Sequence, residues 1–360
     1  MNNENLGVIA KGVKCPIIRE GSNIVDVVVS SLMVASNRQL KKNDVVGITE
    51  SVIARSAGLY VTVDDIANDI RAKFGNDCEI ILDSPIYSRN RFAMILKGIA
   101  RAAKKLYICM PPYDEVGNPS GINPFTGINI QDYYAEICAN ENCDVAFNVY
   151  MSELVKDIKY EDLGKYPFIY CGLHDYAEWK LQFGGQGKEN HISLADICSD
   201  KCEFGVLGSN KATEEKIKLF PTKKLATEVC EKVKAEIKRI TGVDVIVMAY
   251  GDGSYKDLDA GIWEMADPVS SPGYTNTDIL NSAPNELKLK SLIDNSASNA
   301  EVRKILGAKK ESNNSLKGKM SSMGTTPRRY VNLLASLMDL VSGSGDRETP
   351  VVWISNYFNF

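Results

Sequence analysis

The stretch "CEIILDSPIYSRNRFAMILKGIARAAKKLYICM", Cys78 to Met110, limits the fold more than any other part of the chain. Its ends, "CEIILD" and "LYICM", are short continuous apolar runs of the kind a strand buried on both faces needs. Between them, "SRNRFAMILKGIARAAKK" puts Phe92, Leu96, Ile99 and Ala103 on one helical face. Arg89, Arg91, Lys97, Arg101, Lys104 and Lys105 make up a solvated remainder. Strand, helix and strand within about 30 residues predict a parallel pair with a right-handed crossover. "IQDYYAEICAN" and "HDYAEWKLQF" read as further helices, and "DVAFNVYM" (144–151) and "FIYCGL" (168–173) as further strands. Residues 75–202 are therefore expected to form a Rossmann-like parallel α/β unit. Its loop "PPYDEVGNPSG" (111–121) leaves the C-terminal end of a strand, where open α/β sheets bind ligands; a solvated turn-rich connection explains it equally well.

The flanking segments, 1–74 and 203–360, read as a second, mixed α/β layer, and 360 residues suit two domains of roughly 150. "NDVVGIT" (43–49) is a buried strand running into "ESVIARSAG", a short helix closed by Gly58. "KKLATEVCEKVKAEIKRITG" from Lys223 is a long amphipathic helix with Gly242 at its C-cap, followed by the strand "VDVIVMAY". "GVLGSNKATEEKIKLFP" (205–221) suits a helix capped at Thr213, with Lys211 either reaching for phosphate or simply exposed. In "GTTPRR" (324–329), Thr326 as N-cap and Pro327 as first helical residue would put Arg328 and Arg329 in the first turn of "PRRYVNLLASLMDLV". Two cations there oppose the helix dipole unless an anion binds or they snorkel outward. "LVSGSGDRETPVVWI" (340–354) places helix before glycines and strand after, with no lysine, so it is not a Walker-type loop. Its first role is to end a helix and turn the chain, and its glycines also let successive amides face an anion.

Composition narrows the chemistry. A formal charge of −4 argues against a polynucleotide partner, and no uncharged apolar run reaches the roughly 18 residues of a membrane span. The start lacks a basic region followed by an apolar core, so a cytoplasmic location is expected. Nine scattered cysteines without a C-x-x-C spacing read most simply as reduced core thiols; "CSDKC" (198–202) could hold a soft metal, but with no second pair nearby a zinc site is not expected. His174 and His191 are the only histidines, each expected to be exposed and idle, so a histidine-based triad or metal site has almost no material. Carboxylates, lysines, arginines and backbone amides must do the work. Asp252, flanked by glycines just past a strand, with Asp257, Asp259, Glu264 and Asp267 after it, suits either a hard cation or an exposed acidic turn. No G-x-G-x-x-G follows "CEIILD" or "LYICM", which argues against a dinucleotide-binding oxidoreductase.

In order along the chain, "KCPIIREGSNI", "NDVVGITESVIARSAG", "GVLGSNKATEE", "TGVDVIVMAYGDG" and "SGSGDRETPVV" resemble the coenzyme F-420-0:L-glutamate ligase (gamma-glutamyl ligase) family over about 1–62 and 203–360. The resemblance implies a mixed α/β fold, a homodimer, and a GTP- or ATP-dependent amide ligase with magnesium or manganese and a monovalent cation such as potassium. It would join L-glutamate, or a similar amino acid, to a carboxylated small-molecule acceptor, deazaflavin-like or folate-like, through an acyl phosphate. By position it assigns Pro16, Glu50, Ser51, Arg55, Ser342, Gly343, Ser344, Gly345 and Asp346 to the nucleotide. Asn210, where the family has a metal-binding aspartate, Asp252 and Asp257 fall to the metal, and Arg55, Lys211 and Arg328 to catalysis. Residues 75–202 have no counterpart in short family members and are expected to recognise the acceptor. A nucleotide-binding or regulatory protein that retains the fold with weakened turnover is the alternative.

Overall fold

In this computed structural model, residues 7–83, 87, 90–114, 117–124, 126–149, 153, 158–172, 190–251, 255–256, 263–264, 271–282, 298–308, 329–343 and 347–358 are described. In chain order the elements are β1 (Ile9–Val13), α1 (Ile24–Ser36), β2 (Val45–Thr49), α2 (Glu50–Ser56), β3 (Tyr60–Thr62) and α3 (Val63–Phe74). Then come β4 (Cys78–Asp83), α4 (Asn90–Ala102), β5 (Ala103–Cys109), α5 (Ile130–Asn140), β6 (Asp144–Asn148), β7 (Phe168–Tyr170) and β8 (His191–Ser193). The chain continues with β9 (Ser209–Lys211), β10 (Lys216–Leu219), α6 (Lys223–Thr241), β11 (Ile246–Tyr250), β12 (Tyr255–Lys256) and β13 (Trp263–Glu264). Last are α7 (Thr277–Leu280), α8 (Asn299–Ala308), α9 (Tyr330–Ser342) and β14 (Val351–Ser355). The architecture is α/β.

The parallel unit forms as the apolar runs require. Five strands in the order β6-β5-β4-β7-β8 pair in parallel throughout. Helix α4 buries Phe92, Leu96 and Ile99 on one face of that sheet. On the other face, Ile81, Tyr107, Phe168 and Tyr170 form a smaller cluster with Ile158. The helix is shorter than its pattern suggests: Ala103, Lys104 and Lys105 belong to β5. Beyond Ala102 the chain pairs with β4, and ladder hydrogen bonds outweigh weak helical propensity at a fraying end. Gly98 lets α4 approach α3, since a Cβ there would stand 2.6 Å from Ile66 Cγ2.

A second sheet runs β1-β14-β2-β11, with β2 and β11 parallel and β14 antiparallel to both β1 and β2. Alternation sorts its residues: Val46, Ile48 and Val247 meet α1 and α6, while Val45, Ile246 and Met248 meet α9. Gly47 is needed for that second contact, because a Cβ would sit 2.2 Å from Met338 Sδ. Gly242 closes α6 in the left-handed conformation, and Gly343 closes α9 likewise.

Several expectations change here. Within 205–221 the chain forms a short 3-10 turn at Gly205–Leu207 and then a β-hairpin, β9 with β10, instead of a helix capped at Thr213. Lys216, Ile217, Lys218 and Leu219 alternate with period two, and Ile217 and Leu219 bury one face of the strand. Arg329 is the N-cap of α9 itself, with extended backbone, so it is not in the first turn. Thr326, Pro327, Arg328, Arg89 and the helical pattern at 174–183 lie outside the described residues. His191 is half-buried in β8, its ring centroid 5.2 Å from that of Phe168, and so is not exposed; His174 lies outside the described residues. Seven of the nine cysteines are buried, Cys198 and Cys202 among them.

A buried carboxylate staples the mixed sheet at its far end. Asp44 accepts from Trp353 Nε1 at 2.8 Å, from Ser355 Oγ at 2.9 Å and from the Lys41 amide at 3.0 Å. Asp44→Ala would leave two buried side-chain donors without an acceptor. The expected loss is about 2–4 kcal/mol of unfolding free energy, read from urea denaturation at unchanged m.

Candidate functional site

Four chain segments leave the mixed sheet at one edge. Strand β2 ends at Thr49 opposite Tyr250, the last residue of β11, because the two are parallel and in register. Strand β14 starts there, with Val351 opposite Ile48, and β1 ends there, with Val13 opposite Val351. The turns are tied together by backbone: the Thr49 amide donates to Pro350 O and the Cys15 amide to Glu348 O, each at 2.9 Å. Pro16, Glu50, Ser51, Gly251 and the segment 347–350 are thereby gathered at one place, although Pro16 and Pro350 are 334 positions apart in sequence. Sheet topology alone does this, and an edge where two parallel strands end is a favourable ligand position.

Helix α2 begins directly at the end of β2, without a connecting loop. Glu50 opens it and turns inward, with Ile53 and Ala54 buried behind it. Its carboxylate receives Lys218 Nζ at 3.1 Å, and both residues are buried. This ion pair joins the mixed sheet to the β9–β10 hairpin. Lys218 stands opposite Asn210 in that hairpin, so the two share a face, and Asn210 is half-exposed there. Lys211 is the next residue along, opposite the buried Ile217, and therefore points to the other face. It pairs with Glu214 at 2.5 Å within the hairpin's own turn, which holds the Glu214 carboxyl below its usual range. The hairpin cation on the Glu50 side is thus Lys218, which the sequence reading passed over. The period-two alternation "KIKL" was the available signal.

Arg91 anchors the hairpin from behind. It is buried at the start of α4 and donates from Nη1 to Ser209 O at 2.9 Å, one residue before Asn210. The solvated helix face expected for it is therefore corrected: α3 and the hairpin cover that face of α4. Farther along α4, Lys97 pairs with Glu215 in the hairpin turn, and Arg101 pairs with Glu141 at 2.8 Å.

The remaining predicted positions divide plainly. Arg55 lies one turn after Ser51 on α2 and is exposed. Ser342 is buried at the end of α9, donating to Asp339 O at 2.9 Å while its own carbonyl accepts from Thr349 Oγ1 at 2.8 Å. These contacts tie the glycine turn to the start of β14. Ser344, Gly345, Asp346, Asp252, Asp257 and Arg328 lie outside the described residues. Among the described residues no group of three or more His, Cys, Asp or Glu is arranged to hold a metal ion. The oxygen donors of Asn210 and Glu50 suit a hard cation, but Lys218 already offsets the charge of Glu50. Burial pushes the thiols of Cys15 and Cys202 up, so neither is a thiolate nucleophile at neutral pH.

Breaking a buried pair by removing one partner costs about 3–5 kcal/mol, whereas replacing both with apolar groups costs far less. Lys218→Met is accordingly expected to lose about that much stability, and the Glu50→Leu, Lys218→Met double variant to recover at least half of it. Chemical denaturation of the three proteins measures this directly.

The family model described as F420-0:Gamma-glutamyl ligase matches residues 12–356. No curated protein matches the chain. No helix among the described residues is long and apolar enough to cross a membrane.

Proposed function

The chain belongs to the F420-0:gamma-glutamyl ligase family, and from that premise we propose that it is a GTP- or ATP-dependent ligase working at the shared sheet edge. A glutamate ligase forms an amide from two polar, unreactive partners. The reading proposed here is that the acceptor carboxylate takes the terminal phosphoryl group of the nucleotide. The amine of L-glutamate then attacks the acyl carbon, and inorganic phosphate leaves. What supports this is the convergence of the β1, β2, β11 and β14 termini beside the Asn210–Lys218 face. Phosphoryl transfer needs positioning and charge neutralisation more than covalent help from the protein, which agrees with a chain holding two histidines.

In this reading Pro16, Ser51, Arg55 and the turn from Ser342 to Asp346 hold the nucleotide, with Arg55 free in solvent to swing onto phosphate. Lys218 is a positioning residue in this reading: paired with Glu50, it holds Asn210's strand in place, while Lys211 is turned toward Glu214. Asn210 and Asp252, supported by Asp257, would hold magnesium or manganese, which spreads charge off the phosphoryl oxygens when bound. Arg328, the monovalent cation and the homodimer remain with the resemblance that suggested them. Residues 75–202 would recognise the acceptor.

One observation favours a second reading, a nucleotide-binding protein with weakened turnover. Asn210 brings no charge, and Glu50 is neutralised by Lys218. Nucleoside diphosphate release should require glutamate, acceptor and divalent metal together in the ligase, and a thermal shift with GTP or ATP but no release marks the weakened protein. Asn210→Asp is expected to lower the magnesium concentration for half-maximal nucleotide stabilisation about tenfold, because it adds a unit charge beside the cation. If no nucleotide raises Tm in either protein, the ligase reading is wrong.

A further inference from the structure

Helix α5 ends in a turn that brings two thiols together. The Cys143 amide donates to Cys138 O at 2.9 Å, the Asn142 amide donates to Ala139 O at 3.0 Å, and Asn142 is left-handed with φ 57°. Those two bonds and that φ make a Schellman motif, in which the residue after the left-handed position packs its side chain on the residue five positions earlier. Two apolar side chains commonly make this contact. Here both are cysteines, buried in the core of the parallel sheet, and their thiols are in hydrogen-bond contact with each other. Cys198 and Cys202, four positions apart, close no such turn, since the Cys198 carbonyl accepts from the Lys201 amide and the Cys202 carbonyl from the Gly205 amide.

The turn between these cysteines also carries an anchor. Glu141 accepts from Arg101 with both carboxylate oxygens, from Nε at 2.8 Å and from Nη2 at 2.9 Å. Arg101 and Lys97 reach on to Glu215 in the turn of the β9–β10 hairpin. On its outer side the corner meets solvent, because Asn140 and Asn142 are exposed. Contact with the Cys138 thiol, and then burial, push the Cys143 thiol up, so the closed corner protects the reduced pair. A helix end opens more readily than its middle, and that opening gives small molecules access to Cys143.

We propose that Cys138 and Cys143 form a reversible disulfide that locks the corner between α5 and β6, and with it the Glu141 anchor of the hairpin. The oxidant is a low-molecular-weight disulfide. The Cys143 thiolate attacks one of its sulfurs, the S–S bond breaks, and a small thiolate leaves. The Cys138 thiolate then attacks the Cys143 sulfur of the mixed disulfide, and a second small thiolate leaves. The two cysteine protons pass through solvent to the released thiolates. The chain gives up two electrons, and the small disulfide takes them. This pairing does not depend on the ligase reading.

The full chain is equilibrated with glutathione and glutathione disulfide from fully reducing to fully oxidising ratios, trapped with N-ethylmaleimide in denaturant, and mapped by peptide mass spectrometry. Cys138 and Cys143 are expected to lose labelling together, in a peptide lighter by two hydrogens, and dithiothreitol should restore both. Cys138→Ala is expected to stop at a glutathione adduct on Cys143. In the oxidised wild type, hydrogen exchange at the Asn142 and Cys143 amides should slow at least about fivefold, and in the hairpin turn about twofold, with no slowing in Cys138→Ala treated alike. The wild-type labelling decides the pairing without requiring any variant to fold. Full labelling of both thiols at every ratio overturns the proposal, and so does a bridge from either one to Cys78. A disulfide that forms while exchange in the hairpin turn stays unchanged overturns the lock on the anchor.

Discussion

The buried contact between Glu50 and Lys218 is the constraint on which the arrangement of the site depends. Glu50 belongs to the mixed sheet through β2, and Lys218 belongs to the hairpin that shares a core with the parallel sheet. An apolar contact at this junction would allow sliding, since dispersion is non-directional. Two opposite charges out of water accept only a narrow geometry, because leaving either one unpaired is so costly. The pair therefore sets how far Asn210, across the ladder from Lys218, lies from the ends of β2 and β11.

Around that junction the two sheets use the same rule. Parallel strands deliver their carboxyl ends, and the loops that follow them, to one edge. In the mixed sheet only β2 and β11 are parallel, and the antiparallel β14 and β1 add the 347–350 and 14–16 segments to that edge. In the five-stranded sheet every pair is parallel, so the loops after β4, β5 and β6 all leave at one edge. Arg91, at the start of α4, links the second edge to the hairpin.

Much of the fold was legible because burial leaves periodic marks. The β4–α4–β5 crossover, the α6 amphipathic face with Gly242, and the turn at Gly343 each follow from local chemistry and stand where the pattern put them. The errors share a cause. Thr213 resembles a cap and Arg91 resembles a solvated helix position, and each judgement looked no farther than one element. Ladder pairing with β3 made "KIKL" a strand, and coverage by the hairpin and α3 buried Arg91. Local propensities of a few tenths of a kcal/mol yield to such contacts.

The sequence by itself determined the fold class and, through its ordered motifs, the membership in a ligase family. Only the tertiary structure decided which hairpin lysine pairs with Glu50. Lys211 and Lys218 are equivalent as residue types, but opposite Asn210 in the ladder stands Lys218, and alternation turns Lys211 away toward Glu214. Side-chain direction in a strand depends on register, and register is fixed by pairing with residues distant in sequence.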